Sequence, residues 1–180
     1  MYTKITRLLR ARWAVLALAS VVALANALVV ALIQPAAAQT ATATFNVTAN
    51  VPSSCSITAN DLAFGTVPAN PGANIDAQTS LSVTCTLSTT YTIALDKGLA
   101  SGGTVALRQM QNGTNTLNYT LYTAAARTTV WGDGTLSTQT VSGTGNGNAQ
   151  SLSVYGRVPA PQTNLAAGNF SDTVTATVTY

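Results

Sequence analysis

The chain has 180 residues, with eight Lys and Arg, five Asp, and neither Glu nor His. Because histidine is absent, Ser-His-Asp and Cys-His catalysis and the usual zinc sites are excluded, and we predict no catalytic residue, no metal site and no cofactor. Four of the eight basic residues lie among the first twelve, so the rest of the chain carries a net charge of −1. That balance argues against nucleic acid or an anionic membrane surface as a partner.

The first 38 residues have the pattern of an export signal. A basic start precedes an apolar run at residues 13–33, and Pro35 is followed by three alanines. Ala36 and Ala38 supply a cleavage site of the A-x-A kind, so we predict that residues 1–38 are a signal peptide removed after Ala38. The apolar run is also long enough to span a bilayer, so a retained anchor is the alternative. After removal we expect no stable membrane insertion.

Residues 41–51, directly after the predicted leader, alternate strictly between apolar and polar side chains. The apolar positions include Phe45, Val47, Ala49 and Val51, and the positions between them are Thr or Asn. A period of two gives a strand one face for burial and one for water. An extended segment at a chain terminus can add a strand to another molecule. The alternative is that these residues form the first strand of their own domain.

The two cysteines, Cys55 and Cys85, both follow the leader. In an exported protein a single pair of cysteines is most simply one disulfide. The alternative is two free thiols.

The remainder, about 140 residues, is enough for one domain, and it is rich in Thr, Val and turn residues. No helical apolar period is sustained. Short strand patterns at this spacing predict an all-β protein with two packed sheets. After residues 41–51 the predicted strands lie at 55–59, 62–65, 79–87, 91–95, 105–110, 117–122, around 130–131, at 139–142, 150–158 and 170–180.

Three further features have ordinary structural interpretations. The glycine-rich residues 143–148 contain no lysine and open no helix, so we predict a hairpin tip rather than a phosphate-binding loop. Asp172 falls on the apolar register of the last strand, and either an exposed strand start or an ion pair with Arg157 would account for it. Four aromatic residues would suit a sugar-binding surface, although packing in the core explains them more simply: Tyr119, Tyr122, Trp131 and Tyr155.

An ordered set of short motifs resembles the spore coat protein U domain, and the resemblance covers nearly all of residues 42–180. The motifs are Cys55-Ser56-Ile57, Leu62-Ala63-Phe64-Gly65, Val83-Thr84-Cys85-Thr86, Tyr91-Thr92-Ile93-Ala94-Leu95-Asp96, Leu117-Asn118-Tyr119-Thr120-Leu121-Tyr122, Trp131-Gly132-Asp133-Gly134, Val154-Tyr155-Gly156-Arg157-Val158-Pro159 and the closing residues 170–180. Each motif alone is weak, and the ordered set is specific.

That family includes subunits of archaic chaperone–usher pili of the Csu type and secreted coat proteins. The resemblance implies an immunoglobulin-like β-sandwich that lacks its last strand and is completed by donor-strand exchange. Residues 39–52 would be the donor extension, with Phe45, Val47, Ala49 and Val51 as the inserted side chains, and residues 53–180 the domain. The C-terminal strand, through Val174, Ala176, Val178 and Tyr180, would flank the groove that receives the donor.

The partners implied by the resemblance are identical or related pilus subunits, a periplasmic chaperone and an outer-membrane usher. We therefore expect a non-enzymatic structural subunit exported through the periplasm to the cell surface, supporting adhesion and biofilm formation. A spore or cell-surface coat protein is the first alternative. A sugar-binding adhesive tip module is the second, but the second, receptor-binding domain that tip subunits of this family usually carry is not found in the sequence.

Overall fold

A computed structural model describes residues 37–180, in which all regular structure is β. The described part of the chain divides at Asn50 into two units. Residues 37–49 form no strand, and their side chains are exposed. The second unit contains eight strands: β1 (Cys55–Ala59), β2 (Ile75–Cys85), β3 (Thr90–Leu95), β4 (Arg108–Asn112), β5 (Asn115–Tyr122), β6 (Val141–Thr144), β7 (Ala149–Val158) and β8 (Ala176–Thr179).

The strands form two antiparallel sheets that pack as a sandwich. The larger sheet has the order β1-β2-β7-β5-β4 and the smaller the order β6-β3-β8. The long pairing of β2 with β7, from Ile75 opposite Val158 to Thr84 opposite Ala149, is the centre of the larger sheet. The prediction of an all-β sandwich with immunoglobulin-like architecture is confirmed.

The core lies between the sheets because alternate residues of each strand point inward. In β2, Leu81 and Val83 are buried, whereas the intervening hydroxyl residues face outward. Ile93 of β3 and Val158 of β7 have no exposed surface and pack in the same cluster. The alternation of apolar and polar residues in the sequence therefore determines which face of each strand is buried.

The disulfide between Cys55 and Cys85 joins the start of β1 to the end of β2. The two residues are direct partners across the strand pair, and Cys85 is buried. The predicted pairing is confirmed, and it fixes the register of an edge strand that has only one neighbour in its sheet.

Several local predictions were wrong, because tertiary contacts overrode the local pattern. The strand predicted to run to residue 87 ends at Cys85 in a turn, and Leu87 is 72% exposed. Residues 143–148 are not a hairpin tip, because β6 and β7 belong to different sheets. Around 130–131 there are only single bridges, Val130 to Tyr122 and Trp131 to Gln139. Residues 62–65 alternate in burial but pair with no strand.

The crossover between β6 and β7 depends on Gly145. Its N–H donates to the Thr89 carbonyl, and its carbonyl accepts from the Ser88 N–H. A Cβ placed on Gly145 would lie 2.9 Å from the Cys85 carbonyl oxygen and closer still to the Thr86 carbonyl oxygen. Because real Cβ atoms do not approach backbone that closely, only glycine allows the chain to cross between the sheets here.

We predict that replacing both cysteines, Cys55→Ser with Cys85→Ser, lowers the free energy of unfolding by about 3–4 kcal/mol, since the closed loop spans 30 residues. Urea unfolding followed by the fluorescence of the buried Trp131 measures this. Reduction of the unaltered protein should shift the midpoint by a similar amount. An unchanged midpoint in both experiments would contradict the prediction.

Candidate functional site

The two sheets leave an opening between a pair of edge strands. Strand β1 is the last strand of the larger sheet and β8 is the last strand of the smaller one. The two strands lie against each other across the sandwich. Among the described residues, no strand pairs with the outer edge of β8. The backbone N–H and C=O groups along that edge are therefore available to a further strand.

An apolar groove of about 390 Å³ lies beside this edge. Its floor is made by Leu81, Leu121 and Val154 of the larger sheet, and Leu95 and Ala176 of the smaller sheet line it from the other side. Its walls include four further apolar side chains: Leu62, Phe64, Phe170 and Val174. The composition of the lining favours an apolar occupant, since burial of such surface is the main source of binding free energy.

One wall of the groove, formed by Leu62 and Phe64, depends on a glycine in the larger sheet. Leu62 and Phe64 lie over Gly156 of β7, where a Cβ would be 2.6 Å from Leu62 Cδ2 and 2.8 Å from Phe64 Cζ. The Phe64 ring also meets the Tyr119 ring edge to face, with centroids 6.1 Å apart. Gly156 therefore provides the space that lets an unpaired segment insert its two large side chains into the sandwich.

Asp172 marks the polar end of the groove, and it does not pair with Arg157. Its carboxylate accepts hydrogen bonds from the Tyr119 hydroxyl at 2.5 Å and from the Leu99 N–H at 2.8 Å. Burial, followed by this hydrogen bond to Asp172, raises the pKa of Tyr119, so the phenol stays protonated and donates. Asp172 is thus a half-buried anchor for the segment that leads into β8.

Arg157 instead pairs with Asp76, two residues that lie opposite each other on β7 and β2. The pair is bidentate, at 2.7 and 2.9 Å, and Arg127 lies 3.3 Å from the same carboxylate. The hydrogen bond from Arg157 is the chief cause that lowers the pKa of Asp76. This ion pair lies on the outer side of the larger sheet, the side opposite the groove.

Arg108 is a buried cation that the sequence analysis did not single out. It has no exposed surface, and its guanidinium donates to the carbonyls of Asp96 (2.8 Å), Trp131 (3.0 Å) and Leu95 (3.2 Å). Burial lowers the pKa of Arg108, although the side chain remains a cation because its ordinary value is so high. Arg108 links β4 of one sheet to the end of β3 in the other. A single arginine within a polar stretch gives no sequence signal for such a role.

The predicted groove-flanking residues lie along the C-terminal strand. Val174 and Ala176 line the groove, and Val178 is half-buried against the core. Tyr180 is 56% exposed beyond the end of β8 and does not line this groove.

The predicted donor residues form no strand in the described chain. Phe45, Val47 and Val51 are 85%, 83% and 78% exposed, and Ala49 is exposed as well. Alternating apolar side chains left in water are unusual in a soluble chain unless another surface covers them. Of the predicted cleavage site, Ala38 is exposed without regular structure, and Ala36 lies outside the described residues with the rest of the leader.

The aromatic residues do not form one surface for a sugar. Trp131 is 1% and Tyr119 4% exposed, and the Trp131 indole donates to the Ile93 carbonyl at 3.0 Å. Tyr155 is half-buried beneath the Arg127 guanidinium. Core packing therefore accounts for two of the four aromatic side chains considered as a sugar-binding surface.

Residues 37–180 contain neither a metal-binding cluster nor a membrane-spanning helix. No cluster of three or more Cys, Asp or other metal-ligating side chains is placed to hold an ion. Within that same stretch, no helix of sufficient length and apolarity to cross a membrane is present.

Comparison with known proteins identifies the family. A model of the Spore Coat Protein U domain matches residues 41–177. This chain belongs to the Spore Coat Protein U domain family. Protein U of Myxococcus xanthus is 41% identical over 166 residues, a match that covers 81% of this chain and 88% of the relative.

A solved structure with a similar fold is the CsuC–CsuE chaperone–tip adhesion subunit pre-assembly complex from the archaic chaperone–usher Csu pili of Acinetobacter baumannii. The TM-score is 0.51 at 25% sequence identity, and the match covers 72% of this chain. The chain spans only 40% of the length of that pilus protein chain. The predicted resemblance to this family and to a Csu-type pilus protein is confirmed.

We predict that Gly156→Ala lowers the free energy of unfolding by about 1–3 kcal/mol, because the added methyl group overlaps Leu62 and Phe64. Gly72→Ala is the matched control, since nothing lies within 4 Å of its Cβ position. The control should change stability by less than about 0.5 kcal/mol. Equal unfolding midpoints for the two variants, measured in urea, would show that Gly156 does not make the space for this wall.

Proposed function

We propose that this protein is an exported, non-enzymatic structural subunit of a chaperone–usher pilus that polymerises by donor-strand complementation. The observation that carries the proposal is the free edge of β8 beside an apolar groove of about 390 Å³. Residues 41–51 of a second copy are the proposed occupant. Their side chains alternate as a half-buried strand requires, and in the structure they pair with nothing.

The energetics favour such a strand. Phe45, Val47 and Val51 are each exposed, and burying a side chain of this size contributes roughly 1.5–3 kcal/mol. Main-chain hydrogen bonds to the edge of β8 add a smaller net free energy and fix the direction of the strand. Burial of the small Ala49 side chain contributes less.

The proposed contact is heterologous, since the N-terminal segment of one copy meets the groove of another. A contact of this kind leaves one free groove and one free segment after each addition, so it produces an open fibre rather than a closed dimer. The partners would be identical or related subunits, together with a chaperone that covers the groove before assembly and an usher that exports the fibre. Adhesion and biofilm formation would follow from a fibre at the cell surface.

A coat protein is the second candidate function. It is favoured by the 41% identity to Protein U, a match that covers 88% of that relative. The same groove and segment would serve a coat polymer equally well, so the polymerisation test below applies to both candidates. A sugar-binding tip module has less support, because Tyr119 and Trp131 are buried.

We predict that Phe45→Asp abolishes polymer formation, because it places an unpaired carboxylate in an apolar groove at a cost of several kcal/mol. Asn46→Asp is the matched control, since it adds the same charge on the opposite side of the strand. Purified material is compared on unheated denaturing gels, where polymers persist as a ladder. Ladders of equal intensity from both variants would contradict the proposed insertion of Phe45.

The acceptor side can be tested with Ala176→Asp, which puts a carboxylate in the groove, and its outward-facing neighbour Thr177→Asp as control. We expect Ala176→Asp to prevent self-assembly while its N-terminal segment stays able to donate. Mixing it with Phe45→Asp, which can still accept, should yield dimers and nothing longer. Fibres from that mixture would refute the assignment of donor and acceptor, and so would a failure of Thr177→Asp alone to form fibres.

A further inference from the structure

The large apolar side chains that the fold leaves exposed are confined to a few places. Among the described residues, three of them belong to the proposed donor: Phe45, Val47 and Val51. The others lie in turns or beyond the end of a strand, and none lies on the outer face of a sheet: Leu87, Leu99, Leu107, Leu136 and Tyr180. Apolar side chains that are grouped on a surface in this way indicate a contact with another molecule.

Val51, Leu87 and Tyr180 lie at one end of the sandwich, which we term the Tyr180 end. It is the end where β8 finishes and β3 begins, since Thr179 is opposite Thr92. The three side chains line one surface depression of about 550 Å³, and each is more than half exposed. The rest of the lining comes from residues 52–53, 86 and 88–90, and it contains no charged side chain.

The opposite end, which we term the Leu99 end, carries the other exposed leucines. It is the end where β3 finishes and β8 begins, since Leu95 is opposite Ala176. The Leu99 N–H donates to the Asp172 carboxylate, so Leu99 lies beside the polar end of the groove.

Leu107 and Leu136 are brought to the same end by hydrogen bonds to the last residue of β3. Arg108, the neighbour of Leu107, donates to the Leu95 carbonyl at 3.2 Å. The loop that holds Leu136 begins at Gly132, whose carbonyl accepts from the Leu95 N–H at 3.0 Å. Three charged side chains are exposed on the loops near this end: Asp61, Lys97 and Asp133. The Leu99 end is thus an apolar surface with charged groups beside it, the usual composition of a protein interface.

The direction of the inserted donor strand determines which end faces the next copy. All pairings between the strands of the two sheets are antiparallel. Antiparallel pairing is also slightly the more stable per residue. A donor that runs antiparallel to β8 has Val51 at the Leu99 end of the acceptor, beside Asp172. This contact rests on the proposed function.

The link between the donor and its own domain is too short to hold the two copies apart. Ser54 is fixed to its domain, because its carbonyl accepts from the Thr86 N–H at 2.9 Å and its N–H donates to the Thr86 hydroxyl at 2.7 Å. Only Pro52 and Ser53 separate this anchored residue from the inserted Val51. Residues 51–54 span at most about 11 Å when extended. The Tyr180 end of the donor copy is therefore brought against the acceptor.

We propose that the Tyr180 end of each copy packs on the Leu99 end of the copy that receives its donor strand. Leu87 and Tyr180 of one copy then cover exposed leucines of the next, and the fibre has an end-to-end contact at every junction. Because the inserted strand already joins the copies, this contact is effectively intramolecular, and it does not need the area that two free proteins require to stay bound. It also limits bending at the two-residue link.

The test is thiol cross-linking along fibres of the full chain. Leu87→Cys with Leu99→Cys places one thiol at each end, and a short bis-maleimide joins them where neighbouring copies meet. Within one copy the six residues of β3 separate the two ends by about 20 Å, which is beyond its reach. Cys55 and Cys85 form a disulfide and do not react. Leu87→Cys with Ser153→Cys, an exposed position in the middle of β7, is the matched control.

We expect a ladder on boiled denaturing gels from Leu87→Cys with Leu99→Cys, with roughly tenfold more material above the monomer than from the control pair or from either single variant. Leu136→Cys replaces Leu99→Cys if the latter does not assemble.

Cross-linker-treated fibres without a ladder, or an equal ladder from the control pair, would overturn the end-to-end contact and leave donor insertion intact. Dimers from Leu87→Cys alone would show that two Tyr180 ends meet, as parallel insertion requires, and would overturn it as well. Failure of the unaltered protein to form fibres would count instead against the proposed function.

Discussion

The structure depends on an imbalance between its two sheets. Five strands present an apolar inner surface, and three strands cover it. The uncovered part is the groove over Leu81, Leu121 and Val154, next to an edge strand whose outer backbone groups are unpaired. Exposed apolar surface and an unprotected edge both favour association with another chain. Residues Leu62 and Phe64 cover part of the gap with side chains, but they offer no strand pairing.

Polar bridges also hold the two sheets together. The Arg108 guanidinium reaches from β4 to carbonyls at the end of β3, and the Trp131 indole donates to the Ile93 carbonyl within β3. Asp172 ties the segment before β8 to Tyr119 of the larger sheet and to the Leu99 backbone. These bonds are directional and leave the groove lining apolar. The hydrogen bonds of Asp172 therefore fix the polar end of the groove, while the apolar remainder stays uncovered.

Much of this architecture could be predicted from the sequence because a half-buried strand requires alternation. The strand at Cys55–Ala59 was predicted with its observed bounds, and those at β3, β5 and β7 within two residues. The missed features arise from contacts distant in sequence. Nothing local shows that Gly156 lies beneath Leu62 and Phe64, or that Arg108 is buried. Asp172 was recognised as anomalous, but only the fold shows that Tyr119 is its partner.

The unprotected edge of β8 also bears on how such a subunit must be handled before assembly. Natural edge strands are usually blunted by lysine, proline or a bulge. Between Val174 and Tyr180 there is neither a charged residue nor a proline, and the outward residues are threonines. A solvent-exposed edge of this kind, beside an apolar groove, would pair indiscriminately if it stayed free. If the groove accepts a donor strand, as we propose, this edge needs a temporary occupant before assembly, the role that the proposal gives to a periplasmic chaperone.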